Sequence, residues 1–427
     1  MALVGFVALG LPDGILGVAW PSMRVTFHRP VADLGLLLAL GTAGYLVSST
    51  LSGLVTARLG TGLQLVAAAG GSVVALAVYV TTPSWWGIFG AAVVLGAAGG
   101  LLDTGLNAYM ALGHGPRTMN LLHAAFGLGA TAGPLVVVAL VADVGSWRLA
   151  WACLAALDAG LGVAFVLTRR RWRLDAPLVG ETAAVPPGPG AHSDPPCPPS
   201  GAPPPPGGAW PAPAAPGRRR RVLVLSMALF FAYAGVEIST GQWSFTLLTE
   251  GRGLSPGLAG GLVSSYWGAL TLGRVVAALA GHRVGPSALL DVGVLGTVAG
   301  TALLWWDPVP AAGAAGLGLT GLGLSVIFPT LVSLTPTRLG TARSTRAVGY
   351  QLAAASVGGA LLGALAGLVA GVSGLPTIFP YLLATAVLVA VLHTVLVRVS
   401  TPRGSGRAGP TAPRTTASAR RGPPGTA

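Results

Sequence analysis

The chain has no lysine, only two asparagines and only two cysteines among its 427 residues. All 25 of its basic residues are arginine. The lysine and asparagine deficits follow the codon bias of a GC-rich genome and carry no function. They do single out Asn107 and Asn120, which lie in one stretch. Cys153 sits in an apolar run and Cys197 in a proline-rich one, so neither a disulfide framework nor a metal site is expected. No cofactor is expected either. Charge is scarce as well. Asp, Glu, Lys and Arg make up 9% of the chain, against about a quarter in soluble proteins. With 52% hydrophobic residues there is too little polar surface to cover an oversized soluble core. The net charge of +13 is spread over short clusters with no basic helix face or recognition motif, which excludes a nucleic-acid partner. No nucleophile–base pair or metal set is visible, so an enzyme is not expected. The apolar N-terminus lacks a basic leader region and a clear cleavage site, and reads as a first membrane span.

What the chain does have is apolar runs, many longer than the ~20 residues that cross a bilayer as a helix. Glycine and proline breaks and arginine clusters divide them into twelve predicted spans, roughly 2–22, 34–57, 62–81, 85–112, 120–143, 147–168, 222–249, 256–281, 286–306, 309–335, 346–371 and 375–397. The fold class expected is all-α, a membrane protein of twelve transmembrane helices in two pseudo-repeated six-helix halves. The halves are 1–168 and 222–398. Between them, 169–221 is an Arg/Pro-rich segment with little to bury, expected to be a disordered tether, and 399–427 an equally disordered tail. Two echoes support the repeat. Trp85–Trp86 and Trp305–Trp306 fall at equivalent places in the two halves, where aromatic pairs belong at the membrane interface. "LVTARLG" after the second span matches "LAGHRVG" after the eighth. Arginines crowd the side that carries both termini and the linker, while Arg24, Arg29, Arg148 and Arg252 fall on the other; the positive-inside bias puts both termini in the cytoplasm.

Only twelve acids exist, yet Asp13, Asp103, Asp158 and Glu237 lie well inside predicted spans, and Asp291 nearer a span end. A charged side chain at mid-depth costs at least ~2.5–3.5 kcal/mol on insertion scales, so such residues ordinarily face a water-filled cavity or one another and mark a substrate or proton path. Asp13 lies between Pro12 and Gly14, which weaken the helix there. In "GGLLDTGLNAYM", Asn107 follows Asp103 by one turn and can bond to it or to a solute hydroxyl. Gly96 and Gly100 read as helix-packing positions. Asn120, His123 and Gly127 share a face of the fifth span, and His123 is a candidate proton relay or a plain hydrogen-bonding residue. Tyr233, Glu237, Gly241 and Ser244 form one stripe of the seventh span, with Glu237 as the repeat counterpart of Asp13. Trp243, Tyr266 and Trp267 are candidates to stack on a sugar ring, although aromatics in spans more often pack. Arg274 is assigned a structural or gating role with a carboxylate such as Asp158 or Asp291 as partner, and Arg58 and Arg283 are grouped with it.

These segments are familiar together. Twelve spans in two halves resemble the major facilitator superfamily. "DGILGVAWPSM", "GGLLDTGLNAYM" followed by "MNLLHAAFGLGATAGP", "AYAGVEISTGQW", "GALTLGR" and "IFPTLVSL" resemble the fucose permease family of proton-coupled sugar symporters. The resemblance implies substrate and proton roles for Asp13, Asp103, Asn107 and Asn120. Departures are Leu11 and Pro12 before the first-span Asp, an Asp rather than a Glu at 103, and Glu237 where a Gln is usual. The transport class carries over and L-fucose does not. The expected function is a monomeric secondary transporter of the bacterial cytoplasmic membrane, a proton symporter for a sugar or related small polar solute working by alternating access. A proton-coupled exporter of the same fold, to which "GLGATAGP" lends partial support, and a non-transporting sensor or scaffold are the rivals. Sodium in place of the proton, and the identity of the proton-carrying acid, stay open at this stage.

Overall fold

The computed structural model describes residues 1–113, 116–172, 216–280, 284–307 and 309–400. The expected disordered tether and tail lie largely outside the described residues. In a bilayer each backbone N–H and C=O must be satisfied within the protein, which favours helices. Among the described residues there is no strand. The helices are α1 (Ala2–Thr26), α2 (33–59), α3 (61–81), α4 (Trp85–Gly113), α5 (Pro116–Val144) and α6 (Arg148–Thr168), then α7 (Pro216–Thr246), α8 (Pro256–Ala280), α9 (Pro286–Trp306), α10 (Pro310–Ser333), α11 (Thr341–Ser373) and α12 (Ile378–Ser400). Helices α2 and α3 form one continuous run, Asp33–Thr81, that turns at Gly60 with φ 77° and ψ 156°. That backbone region favours glycine because a Cβ would clash there. Among the described residues ten stretches, the α2–α3 run counted once, are long and apolar enough to cross a membrane.

The helices outrun two of the predicted spans. Helix α7 begins at Pro216, not near 222, and carries Arg218–Arg221 in its first turns. Helix α11 begins at Thr341, not near 346. Hydropathy marks where the chain enters the bilayer, whereas helical hydrogen bonding continues into water.

Six crossings per half return the chain to its starting face. The hydroxyl of Thr168, at the end of α6, donates to the Met1 sulfur at 3.6 Å. Arg218, at the start of α7, donates from Nε to the Val399 carbonyl at 2.9 Å, at the end of α12. Met1 thus lies beside the end of α6, and the start of α7 beside the end of α12; the face these described ends share is called here the terminus face.

The pairing of helices repeats. In the first half α1 packs on α5, α4 on both α2 and α3, and α6 on α3; in the second α7 packs on α11, α10 on both α8 and α9, and α12 on α9. Adding six to each number of the first set gives the second. The two sets are the same six-helix unit twice. The halves meet through α1–α7, α2–α11 and α5–α8, again a set that maps onto itself.

These inter-half contacts gather away from the terminus face. Gly35 at the start of α2 abuts the Ala364 backbone of α11, and Gly260 at the start of α8 abuts Val138 of α5. On α5 the stripe 123–127–131 shows where contact stops. Thr131 meets α8 through its carbonyl, which accepts from Ser264 Oγ at 2.7 Å, and Gly127 touches Thr271. One turn nearer the terminus face, His123 on the same stripe is exposed. Across the interface Tyr350 of α11 is also 50% exposed. The halves part toward the terminus face and are closed toward the other.

Candidate functional site

The site begins with Gly100 of α4. A Cβ there would lie 2.2 Å from Ser48 Oγ and 2.6 Å from the Tyr45 carbonyl, so only a glycine lets α2 come this close. That approach delivers the Tyr45 hydroxyl to Asp103 Oδ2 at 2.5 Å. Asn107 Nδ2 donates to the other carboxylate oxygen, Oδ1, at 2.7 Å. Both oxygens of Asp103 are thus held, one from α2 and one from its own helix. Hydrogen bonds to a charged acceptor contribute about 1.5–3 kcal/mol each.

Below Asp103 lies a second polar layer. Gln64 of α3, fully buried, donates to Ser52 Oγ at 3.0 Å and to the Leu101 carbonyl at 2.9 Å, and accepts from the Thr56 hydroxyl. Thr104 donates to Ser52 Oγ at 2.7 Å. This network locks α2, α3 and α4 together directly behind the Asp103 face.

On the other half, Glu237 Oε1 of α7 accepts from Arg274 Nη2 of α8 at 3.0 Å. The Tyr266 hydroxyl donates to the Glu237 main-chain carbonyl at 2.8 Å. Arg274 therefore pairs across α7–α8 at the centre of the molecule, and neither proposed partner reaches it. Asp158 is buried beside Ser72 between α6 and α3. Asp291 binds His393 of α12, with Nε2 2.6 Å from Oδ1. Helical register explains the outcome: Arg274 and Glu237 lie on the faces that α7 and α8 turn to each other.

Asp13 of α1 differs from both other acids. Among the described residues its carboxylate makes no hydrogen bond and no ion pair, and it stays partly accessible. It lies close enough to Glu237 for the two carboxylates to repel, and the Tyr45 hydroxyl is near it as well. His123 stands in the same relation to Asp103 and to Arg274, its ring packed edge-on against Phe6 at 5.7 Å. The tertiary structure thus brings Asp13, Asp103, Asn107, His123, Glu237 and Arg274 into one cluster where the halves meet. The cluster holds three carboxylates against one guanidinium, flanked by an imidazole.

Other sequence candidates fall elsewhere. Trp243 is fully buried and donates from Nε1 to the Gly363 carbonyl of α11 at 3.0 Å. Tyr266 is fully buried and Trp267 is 2% exposed, packed edge-on at 5.2 Å. In this conformation these three aromatics fill space between helices. Arg58 is exposed at the end of α2, beside the Gly60 turn, remote from the cluster. The side chain of Asn120, and Arg283 as a whole, lie outside the described residues. Sequence reasoning missed Tyr45 and Gln64. Each is a lone polar group in an apolar helix, and the only available signal was that the chain is sparing with such residues.

Comparison with known proteins agrees with this architecture. The family model of the Major Facilitator Superfamily matches residues 2–236 and 225–424. The glucose/mannose transporter GlcP of Bacillus subtilis (strain 168) is 22% identical over 361 residues, covering 84% of each chain. The sodium-dependent glucose transporter 1A of Mus musculus is 22% identical over 439 residues, covering 93% of this chain and 95% of its own. Among solved structures, the nucleoside transporter NupG superposes with a TM-score of 0.68 at 14% identity, covering 93% of this chain and 97% of that one. The transporter FucP, solved in the outward conformation, gives 0.58 at 17% identity, covering 94% and 97%. These likenesses carry the fold, and the presence of FucP among them agrees with the resemblance read from the motifs. With both halves of the chain matched, the protein belongs to the Major Facilitator Superfamily, and is a membrane transporter and not an enzyme.

Proposed function

We propose that this protein is a secondary active transporter that carries a small, polar, uncharged solute of the sugar type together with a proton, by alternating access. The observation that carries the reading is the asymmetry among the three central acids. Asp103 is held by Tyr45 and Asn107, and Glu237 is held by Arg274, while the Asp13 carboxylate has no partner among the described residues. Asp103 and Asn107 present fixed acceptor and amide groups suited to solute hydroxyls. Asp13 is free to gain and lose a proton beside one like-charged neighbour, Glu237, with the Tyr45 hydroxyl also near it. Two ionised carboxylates in one poorly hydrated site repel, so protonating Asp13 relieves that repulsion and favours closing the loaded site. A net negative cluster rejects anionic solutes. The sugar class also rests on the printed activities of the curated relatives, GlcP and the mouse glucose transporter.

In the proposed orientation the terminus face is cytoplasmic, in a bacterial inner membrane, and the protein acts as a monomer. Among the described residues Arg24, Arg29, Arg148 and Arg252 on the other face are each engaged by a carboxylate, carbonyl or ring. Arginine is denser at the terminus face, where Arg58, Arg169–Arg171, Arg218–Arg221 and Arg338 lie, as the positive-inside rule asks of a cytoplasmic face.

The test is uptake by purified protein in liposomes. Labelled hexoses, a nucleoside and a hexuronate are offered with an inward proton gradient, with a sodium gradient, and with neither. Gradient-driven uptake of a hexose or polyol under the proton gradient alone is expected. Uptake driven by sodium at fixed pH, or preferred uptake of the nucleoside or the uronate, would replace the proposal.

A further inference from the structure

We infer that the groove between α1 and α6, with the arginine turn that ends α6, binds one anionic phospholipid, its acyl chain in the groove and its phosphate on the arginines. None of the residues involved belongs to the central cluster, and the inference does not depend on which solute is carried. The apolar part is a groove of about 360 Å³ lined by Met1 and Val4 of α1 and by Ala156, Leu157, Gly160 and Leu161 of α6. A Cβ built on Gly160 would meet nothing within 4 Å, so the groove is open there. Toward the terminus face the lining ends where the Thr168 hydroxyl meets the Met1 sulfur. Leu157, Leu161, Ala164 and Thr168 recur at helical spacing, and Arg171 follows one turn on. Hydrocarbon and then head group would meet the protein in that order, from the bilayer interior to its surface.

The head-group end is held in place. Arg169–Trp172 is a 3-10 turn that continues α6. A Cβ on Gly62, at the start of α3, would lie 2.1 Å from the Arg169 carbonyl, so the backbones of α3 and the turn are in contact. Trp172 is buried, its Nε1 donating to Thr168 Oγ1 at 3.0 Å and its ring 4.7 Å from Tyr109 and 5.6 Å from Phe165. With the backbone fixed in this way, Arg169, Arg170 and Arg171 are all exposed, and none has a partner among the described residues. Elsewhere the chain uses its arginines as staples: Arg148 binds the Tyr79, Val80 and Thr82 carbonyls, and Arg218 the Val399 carbonyl. Three unpaired guanidinium groups on one short turn call for an anion, and their paired N–H donors match phosphate oxygens. Leu167 identifies the source of that phosphate as a lipid. It is 80% exposed one turn before Arg170 and Arg171, and Val163, one turn earlier, is 61% exposed. The arginines therefore stand at the end of the face that α6 turns to hydrocarbon, at the level where head groups begin.

The experiment uses the full chain in a non-ionic detergent, with bound lipid counted by native mass spectrometry. The probes are phosphatidylglycerol, phosphatidylcholine with the same acyl chains, and glycerol phosphate. Phosphatidylglycerol is expected to bind more tightly than phosphatidylcholine, and glycerol phosphate should not displace it. Together Arg169→Gln, Arg170→Gln and Arg171→Gln should weaken phosphatidylglycerol binding by about fivefold per guanidinium, on the order of a hundredfold in all. The triple change Arg219→Gln, Arg220→Gln and Arg221→Gln removes the same charge from the first turns of α7, beside the end of α12, and should leave the affinity near the parent's. Gly160→Leu fills the groove at unchanged charge and should weaken both lipids; the open space at Gly160 lets the variant fold. Equal losses from the two arginine triples would reveal a general attraction to negative charge and overturn the inference. So would parent-like affinity in Gly160→Leu, or displacement by glycerol phosphate, which would make the turn a site for a soluble anion. Melting temperature without added lipid checks the fold of each variant, and Gly160→Leu decides the matter without touching an arginine. No uptake enters the readout, so failure of hexose transport and failure of this site are separable.

Discussion

Replacing Asp13 by Asn should separate solute binding from proton coupling. Two of the three central acids have fixed partners and, among the described residues, Asp13 has none, so the proposed mechanism expects one proton per solute. One pH unit is worth 1.36 kcal/mol per proton, so a one-to-one symporter concentrates its solute at most about tenfold per unit of gradient. The wild type in liposomes, with the outside one unit more acidic and no membrane potential, should approach that ratio. Asp13→Asn should hold the ratio near one at any pH difference. It should still exchange labelled for unlabelled solute at equilibrium, because a permanently neutral residue at 13 mimics the protonated carrier and leaves Asp103, Tyr45 and Asn107 in place. The assay is internal label against time, with and without the gradient, followed by counterflow. Accumulation by Asp13→Asn near tenfold per unit would refute the assignment. A wild-type ratio near a hundredfold would refute the stoichiometry and implicate a second acid.

Other perturbations test the supporting structure. Tyr45→Phe removes the hydroxyl that holds Asp103 Oδ2 and should weaken solute affinity by about tenfold or more, from a charge-assisted bond worth about 1.5–3 kcal/mol, with folding retained; competition binding to purified protein reads it. Glu237→Gln leaves Arg274 without its carboxylate and should lower thermal stability in detergent by about 1–3 kcal/mol, reduced from the fully buried case because Arg274 keeps 31% side-chain exposure; an unchanged melting temperature would show that the pair contributes nothing. Gly96→Val should prevent α2 and α4 from approaching, since even a Cβ would fall 1.9 Å from the Gly41 carbonyl, and loss of monodisperse protein after detergent extraction is expected. Exchanging residues 175–217 for a Gly/Ser segment of equal length should leave uptake near wild type if that segment is a tether; normal insertion with lost transport would show otherwise.

Much of this protein is written locally. Apolar run length decided the twelve crossings, because each helix satisfies its own backbone without reference to its neighbours. The repeat was legible in the tryptophan pairs, and the unusual acids were legible because the chain has so few. Asn107 was readable as a partner of Asp103, being one turn away on the same helix. Only the tertiary structure could supply partners from other helices. Tyr45 lies 58 residues from Asp103, and Arg274 lies 37 from Glu237. No periodicity predicts which faces of separate helices will meet, so Arg274 was matched to the wrong acids and Tyr45 was overlooked. The same limit explains the aromatics. Trp243, Tyr266 and Trp267 have the chemistry to stack on a ring, but only the meeting of helices decides that in this conformation they are buried between them.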